Sequence, residues 1–260
     1  QSGETFDTLA AIREVKRKGG DVIGVVNATG STVAGECGSG VYIHAGPEVS
    51  VTSTKSYTST VVAFALLALQ LGRVRDLGPG DGSRLISGLA ALPDGIATVL
   101  AAEDTMASVA RDLVAPAAGM FFVGRVGGYP VAQEGAQKLK EVSYVHAEAY
   151  PAAELKHGPL ALVGPDVPTV VVLPDDALLD KNLATVEEIR ARRGPVIALT
   201  DAALEADERF AAVLRVPRSE PELAPVLLGI PLQLLAYHAA LALGRDIDRP
   251  RNLAKSVTVE

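Results

Sequence analysis

The sequence predicts an α/β fold made of two doubly wound parallel-sheet domains, the first of them truncated at its N-terminal side. Three observations carry this reading. First, continuous apolar runs such as "DVIGVVN" (21–27), "GMFFVGR" (119–125), "PTVVVLP" (168–174) and "GPVIALT" (194–200) alternate with segments of helical period, as buried parallel strands covered by helices require. Second, the 260 residues are 48% apolar but only 4% aromatic, with Ala, Val and Leu dominating, which suits Ala-rich helices packed on Val-rich strands. Third, "FALLALQLGR" (64–73) and "AYHAALALGR" (236–245) echo each other, both apolar and both ending in Leu-Gly-Arg at the close of their half. A repeat of so long a period points to duplication of a domain.

The elements follow in order. Phe6, Leu9, Ile12 and Val15 recur at helical spacing, so 5–19 is a helix that Gly19-Gly20 stops. Strands are expected over 21–27 and 40–46, then a long apolar helix over 55–72. "RVRDLGPGDGSRL" (73–85) is rich in Gly, Pro and charge and reads as a domain linker. Helical patterning resumes over 84–114, a strand covers 119–125, and 129–150 is largely helical with Pro130 in its first turn. Strand 168–174, helix 178–192, strands 194–200 and 212–217, helix 226–243 and an irregular tail complete the chain. The second half thus supplies four strands and the first only two, too few for an open parallel sheet to cover its faces and edges. The expected division is a remnant of the first domain over 1–76, a linker and connecting helix over 77–104, the second domain over 105–246 and a functional tail over 247–260.

Composition excludes several partners. The net charge of −7 argues against nucleic acid, whose phosphates need a basic face. A single cysteine, Cys37, cannot form an intrachain disulfide, which points to a reducing, cytoplasmic setting. Residues 1–20 are polar and hold no apolar core of a signal peptide. Residues 59–72 are too short to span a bilayer. Residues 224–244 are long enough and uncharged, but Pro225, Gly229, Pro231, Gln233 and His238 suit a buried core or interface helix better, and no membrane partner is expected.

Several segments could carry chemistry. "QSGET" (1–5) places Ser2 and Thr5 at a helix start, where free N–H groups and the helix dipole attract anions; the plain alternative is an ordinary N-cap. "VTSTKSYTST" (51–60) is a second hydroxyl cluster before a helix, open to the same two readings. Glu134, Lys138 and Glu141 fall on one helical face, either as a solvated strip with a surface ion pair or as an acid–base strip able to move a proton between adjacent sugar carbons. His157, between Lys156 and Gly158-Pro159, is a surface histidine or a group that opens a cyclic sugar. His44, His146 and His238 lie in or beside apolar segments and read as structural. No pair has convincing metal-ligand spacing, so no metal and no cofactor are expected. Cys37 lacks an activating histidine and reads as a non-catalytic thiol. Lys255 lies in the polar tail "DRPRNLAKSVTVE", whose Val257 and Val259 suggest docking, and a lysine delivered into a cleft can form an imine with a ketose.

Taken together, "QSGET", "STKSYT", "EGAQKLKEVSYVHAEAYPAAELKHGPLALV" and "DRPRNLAKSVTVE" resemble the glutamine–fructose-6-phosphate aminotransferases (isomerising), the glucosamine-6-phosphate synthases. The resemblance spans essentially the whole chain, and it is strongest over 124–159 and the last thirteen residues. It implies two sugar isomerase (SIS) domains of five parallel strands each, a homodimer, and conversion of fructose 6-phosphate with glutamine to glucosamine 6-phosphate for amino-sugar and cell-wall precursor synthesis. By motif, Gln1, Ser2, Thr5 and Ser53 resemble the sugar-phosphate binders, and Val51 and Ala254 the backbone contacts to the sugar. Glu141 resembles the base that moves the proton between C1 and C2, supported by Lys138, with Glu134 one turn back. His157 resembles the ring-opening histidine, which in the family reaches in from the neighbouring subunit. Lys255 resembles the imine-forming lysine.

The sequence also departs from the pattern. Nothing corresponds to the glutaminase domain with its cysteine nucleophile, to the first strands of the first SIS domain with their serine-containing phosphate loop, or to the serine that precedes "QSGET". The expectation is a C-terminal fragment that keeps the isomerase residues but cannot release ammonia from glutamine. Two other readings stand beside it: a stand-alone SIS isomerase or deaminase, disfavoured by "NLAKSVTVE", and a non-catalytic sugar-phosphate sensor, disfavoured by Glu141, Lys138 and Lys255.

Overall fold

The structure is a computed structural model that describes residues 1–255; Val257 and Val259 lie outside the described residues. The chain divides into two compact units. Unit 1 comprises Gln1–Leu77 with the tail from Asp248, and unit 2 comprises Gly78–Ile247.

Unit 1 opens with helix α1 (Phe6–Arg17), then strand β1 (Gly24–Val26), helix α2 (Thr32–Cys37), strand β2 (Gly40–Tyr42) and helix α3 (Lys55–Val74). The two strands pair in parallel, Gly24 opposite Gly40. Ile12, Val26, Val33 and Cys37 form its core, packed by Leu9 and Val22. Cys37 is therefore a buried core thiol. Helix α2 escapes sequence pattern because its six residues give only one i,i+4 apolar pair, Val33 and Cys37. The tail meets this unit where the Val51 N–H donates to the Asp248 carbonyl at 3.0 Å.

Unit 2 begins with α4 (Pro79–Ala101), so the irregular connection after α3 is shorter than the expected linker. Helix α5 (Glu103–Val109) and a five-residue π-helical turn follow, then β3 (Met120–Gly124), α6 (Gly128–Ser143), β4 (Ala147–Pro151), β5 (Thr169–Leu173), α7 (Leu179–Arg190), β6 (Val196–Thr200), β7 (Ala212–Arg215) and α8 (Ala224–Ala242). All strands are parallel, in the order β4-β3-β5-β6-β7. This is the α/β parallel-sheet fold that the alternating pattern predicts.

The unit has five strands where the pattern shows four. The missed strand, β4, lies at the sheet edge and is only partly buried, so its Ala-Glu-Ala-Tyr-Pro sequence need not be continuously apolar. Every residue of β3, β5 and β6 is buried. One sheet face packs Phe121, Val123, Val171 and Leu173 against Val186 and Ile189 of α7. The other carries α6 and α8.

Among the described residues three helices, α3, α4 and α8, are long and apolar enough to cross a membrane by length and composition. The apolar segment judged too short for that at 59–72 is thus part of a 20-residue helix. For α8, 67% of the apolar window is buried inside the protein, as its prolines and His238 suggest, against 11% for α3 and α4.

The turn from β3 into α6 demands a glycine. A Cβ on Gly124 would stand 2.4 Å from the carbonyl carbon and oxygen of Gly128, backbone atoms that cannot step aside. Gly124→Ala should therefore lower stability by about 1–3 kcal/mol, read as a smaller urea midpoint with unchanged slope.

Candidate active site

Helix α6 brings three ionisable side chains together. The Lys138 Nζ lies 3.4 Å from Glu134 Oε1 and 3.4 Å from Glu141 Oε2. The lysine side chain is 5% exposed, and the two carboxylates are 14% and 19% exposed. The spacing that predicted a shared face holds, but the face is not a solvated surface strip. Gln137, one turn before Glu141, donates from Nε2 to its Oε1 at 2.7 Å. Sequence reading passed over this residue, although the i,i+4 spacing signals it. Two acids held by one buried ammonium and one amide form an ordered acid–lysine–acid strip, an arrangement with the groups that proton transfer needs.

His157 ends a short 3₁₀ turn (Leu155–His157) after β4 and is exposed. His238 is mostly buried and faces Glu103 at 3.0 Å, in keeping with a structural role. His44 and His146 are instead exposed, because the segments that flank them are edge strands.

Unit 2 also holds a cavity of about 830 Å³ outside the carboxyl ends of its strands, beside the β3–β5 switch point. It is lined by Asp94, Asp175, Asp176 and Asp201, with Arg218 tied to Asp175 at 2.7 Å. That lining holds more carboxylates than cations, and it includes neither Glu141 nor Lys138.

In unit 1 the first five residues form a loop fastened to the turn after β1. The Ala28 N–H donates to the Gln1 carbonyl at 3.2 Å, and the Val33 N–H to the Gly3 carbonyl at 2.9 Å. Glu4 accepts from the Thr32 N–H at 2.9 Å and hydroxyl at 2.6 Å. Gly3 has φ +69°, and a Cβ there would fall 2.2 Å from Ser31 Oγ. The plain capping reading does not hold. Thr5 is the N-cap of α1 but its hydroxyl makes no capping bond, and the Ser2 hydroxyl accepts from the Glu4 N–H at 3.3 Å inside the loop. The helix thus starts without a side-chain cap, so Thr5 supplies no acceptor to its first N–H groups.

The second hydroxyl cluster is arranged differently. Glu48, which sequence reading did not single out, occupies the N-terminus of α3. It accepts from the Thr54 N–H at 2.9 Å, the Ser56 N–H at 3.2 Å and the Ser56 hydroxyl at 2.5 Å. Ser53 and Ser56 share a hydroxyl–hydroxyl bond of 2.6 Å. A carboxylate of the chain therefore takes the anion position of this helix. The available signal was an acid shortly before a hydroxyl-rich helix start. Lys255 joins from the tail, its Nζ 2.9 Å from Glu48 Oε2 and 2.6 Å from the Ser50 carbonyl. Ala254, beside it, is exposed. Burial by itself pushes the Glu48 carboxyl up, but the Ser56 hydroxyl, the Lys255 ammonium and the two N–H groups outweigh it, holding the group at about 2 against an ordinary 4.5.

With this geometry established, comparison with known proteins is decisive. The family model of the SIS domain matches residues 1–70 and 113–243. The chain belongs to the SIS domain family. This SIS chain is 50% identical, over an alignment of 262 residues covering all of it, to a Thermus thermophilus protein named glutamine--fructose-6-phosphate aminotransferase [isomerizing], and covers 43% of that protein. It is 46% identical to the Chlorobaculum tepidum protein of the same name, again over its full length and 42% of the relative. The chain thus spans about two fifths of the length of these curated relatives. Among solved structures, the C-terminal domain of glucosamine-fructose-6-phosphate aminotransferase from Francisella tularensis superposes with a TM-score of 0.92 at 37% identity, over 96% of this chain and 71% of that one.

Two predictions test the two charged clusters. Lys138→Met leaves two largely buried carboxylates without their cation and should destabilise the protein by about 3–5 kcal/mol, measured by urea unfolding at neutral pH. For Glu48 the folded value lies below the unfolded one. Its stabilisation is complete above about pH 4.5 and is lost as pH falls toward about 2. Unfolding free energy measured across that window should decline in the unaltered protein and decline less in Glu48→Gln.

Proposed function

We propose that this SIS chain is the isomerase part of a glutamine–fructose-6-phosphate aminotransferase, converting fructose 6-phosphate, with ammonia that the whole enzyme draws from glutamine, to glucosamine 6-phosphate for amino-sugar synthesis. The observation that carries the reading is the burial of Lys138 between Glu134 and Glu141. A sugar-phosphate sensor needs only its phosphate loops, whereas a desolvated acid–lysine–acid strip is costly unless it is used.

In this reading the uncapped start of α1, with Ser2 and Thr5, takes the phosphate alongside Gln1 and Ser53. Val51 and Ala254 meet the sugar through their backbone. His157 opens the ring and Lys255 forms the imine with the open-chain ketose. The Glu141 carboxylate then takes a proton from C1 and returns it to C2, while Lys138 balances its charge and Glu134 supports the lysine. An exposed His157 fits a residue offered to a second copy, so the working form is a homodimer. A single, buried Cys37 fits the reducing cytoplasm.

The test is to incubate the chain with fructose 6-phosphate and follow glucose 6-phosphate, then to add ammonia and look for glucosamine 6-phosphate. Glu141→Gln should lower the isomerisation rate by about 10²–10⁴-fold with substrate binding retained. Binding without turnover in the unaltered chain would favour the sensor, and a folded dimer that makes no amino sugar from ammonia counts against the aminotransferase.

A further inference from the structure

We propose that Glu48 is the counter-ion of Lys255 throughout imine formation, an inference that rests on the reading of Lys255 given above. The carboxylate touches the reacting nitrogen itself, Oε2 to Nζ at 2.9 Å, and its side chain is 3% exposed against 26% for the lysine. Its place is set independently of Lys255 by the Thr54 N–H, the Ser56 N–H and the Ser56 hydroxyl. The lysine comes to a charge already fixed. The Ser50 carbonyl takes a second N–H at 2.6 Å, and an ammonium has three, so among the described residues one remains for an incoming oxygen. Of the other charged residues at this segment, Lys55 donates from Nζ to the Pro47 carbonyl at 2.7 Å, and Asp248 meets it through its own carbonyl at the Val51 N–H.

The chemistry explains why a fixed anion belongs here. Lys255 releases one proton to solvent, and its nitrogen lone pair attacks the ketose carbonyl carbon while an N–H proton passes to the oxygen. The resulting carbinolamine takes a proton from solvent, breaks its C–O bond and loses water. The sum is R–NH₃⁺ plus O=C giving R–NH⁺=C plus H₂O, with no net proton change. The nitrogen is cationic at both ends of this sequence, and the same carboxylate faces it at both ends without rearrangement. The iminium keeps only one N–H, and a charged acceptor holds it better than the neutral Ser50 carbonyl does.

The experiment traps the imine in the full chain with fructose 6-phosphate and cyanoborohydride, reading the adduct on the Lys255 peptide by mass. Glu48→Gln preserves an acceptor oxygen for Thr54 and Ser56 but removes the charge. It should slow trapping by about 10–100-fold, the worth of one charge-assisted hydrogen bond, with the half-saturating fructose 6-phosphate concentration unchanged. Ser56→Ala, which keeps the charge, should slow it far less. Equal losses in both variants, an unchanged rate in Glu48→Gln, or a loss confined to half-saturation would assign Glu48 a structural role and overturn the inference. Should Glu48→Gln not fold, Glu48→Asp withdraws the charge by one methylene and should give a partial loss of rate; an unchanged rate there overturns the inference equally. No adduct in the unaltered chain is a distinct result, which overturns the aminotransferase reading and this inference with it.

Discussion

An ionised side chain removed from water is tolerated only where opposite charge or oriented dipoles meet it at bonding distance. Each unit shows a case of this among the described residues. In unit 2 a buried ammonium, Lys138, is met by two carboxylates of its own helix. In unit 1 a buried carboxylate, Glu48, is met by helix N–H groups, a hydroxyl and an ammonium from the far end of the chain. The second arrangement ties the segment after β2, the start of α3 and the tail to one atom group. Placement of the tail lysine follows from it.

The helix starts of the two units carry different chemistry. Before α1 the loop presents hydroxyls and a glycine at a helix start with no side-chain cap. Between β5 and α7 the turn carries Asp175 and Asp176, and the Asp175 N–H donates to Asp201 at 2.8 Å. An N-terminus already surrounded by carboxylates has no use for a phosphate. The fold alone, with its crevice at the strand ends, therefore does not decide where a sugar phosphate binds; the side chains at the turn do.

Much of the fold is legible in the sequence because buried parallel strands leave continuous apolar runs. The runs around Phe122, Val171 and Ala198 mark β3, β5 and β6 without ambiguity. Edge strand β4 leaves no such run, since one side of it meets solvent, and α2 is too short to show a helical period. At the candidate site, the common face of Glu134, Lys138 and Glu141 follows from helical geometry alone. Its burial does not, because that depends on what packs over α6. Glu48 was illegible for a related reason: the groups it binds lie six to eight residues on and at the far end of the chain, beyond any local pattern.

By itself, then, the sequence determined the parallel α/β class, the helix carrying the acid–lysine–acid strip, the hydroxyl-bearing loop at the chain start and, through its motifs, the SIS relationship. These are properties of local spacing and composition. Only the tertiary structure decided which charges are desolvated, that α1 starts without a side-chain cap while α3 is capped by Glu48, and that Lys255 is held between Glu48 and Ser50. The grip on Lys255 joins residues more than 200 positions apart, and the others depend on loop conformation and on what packs over a helix, none of which local spacing fixes.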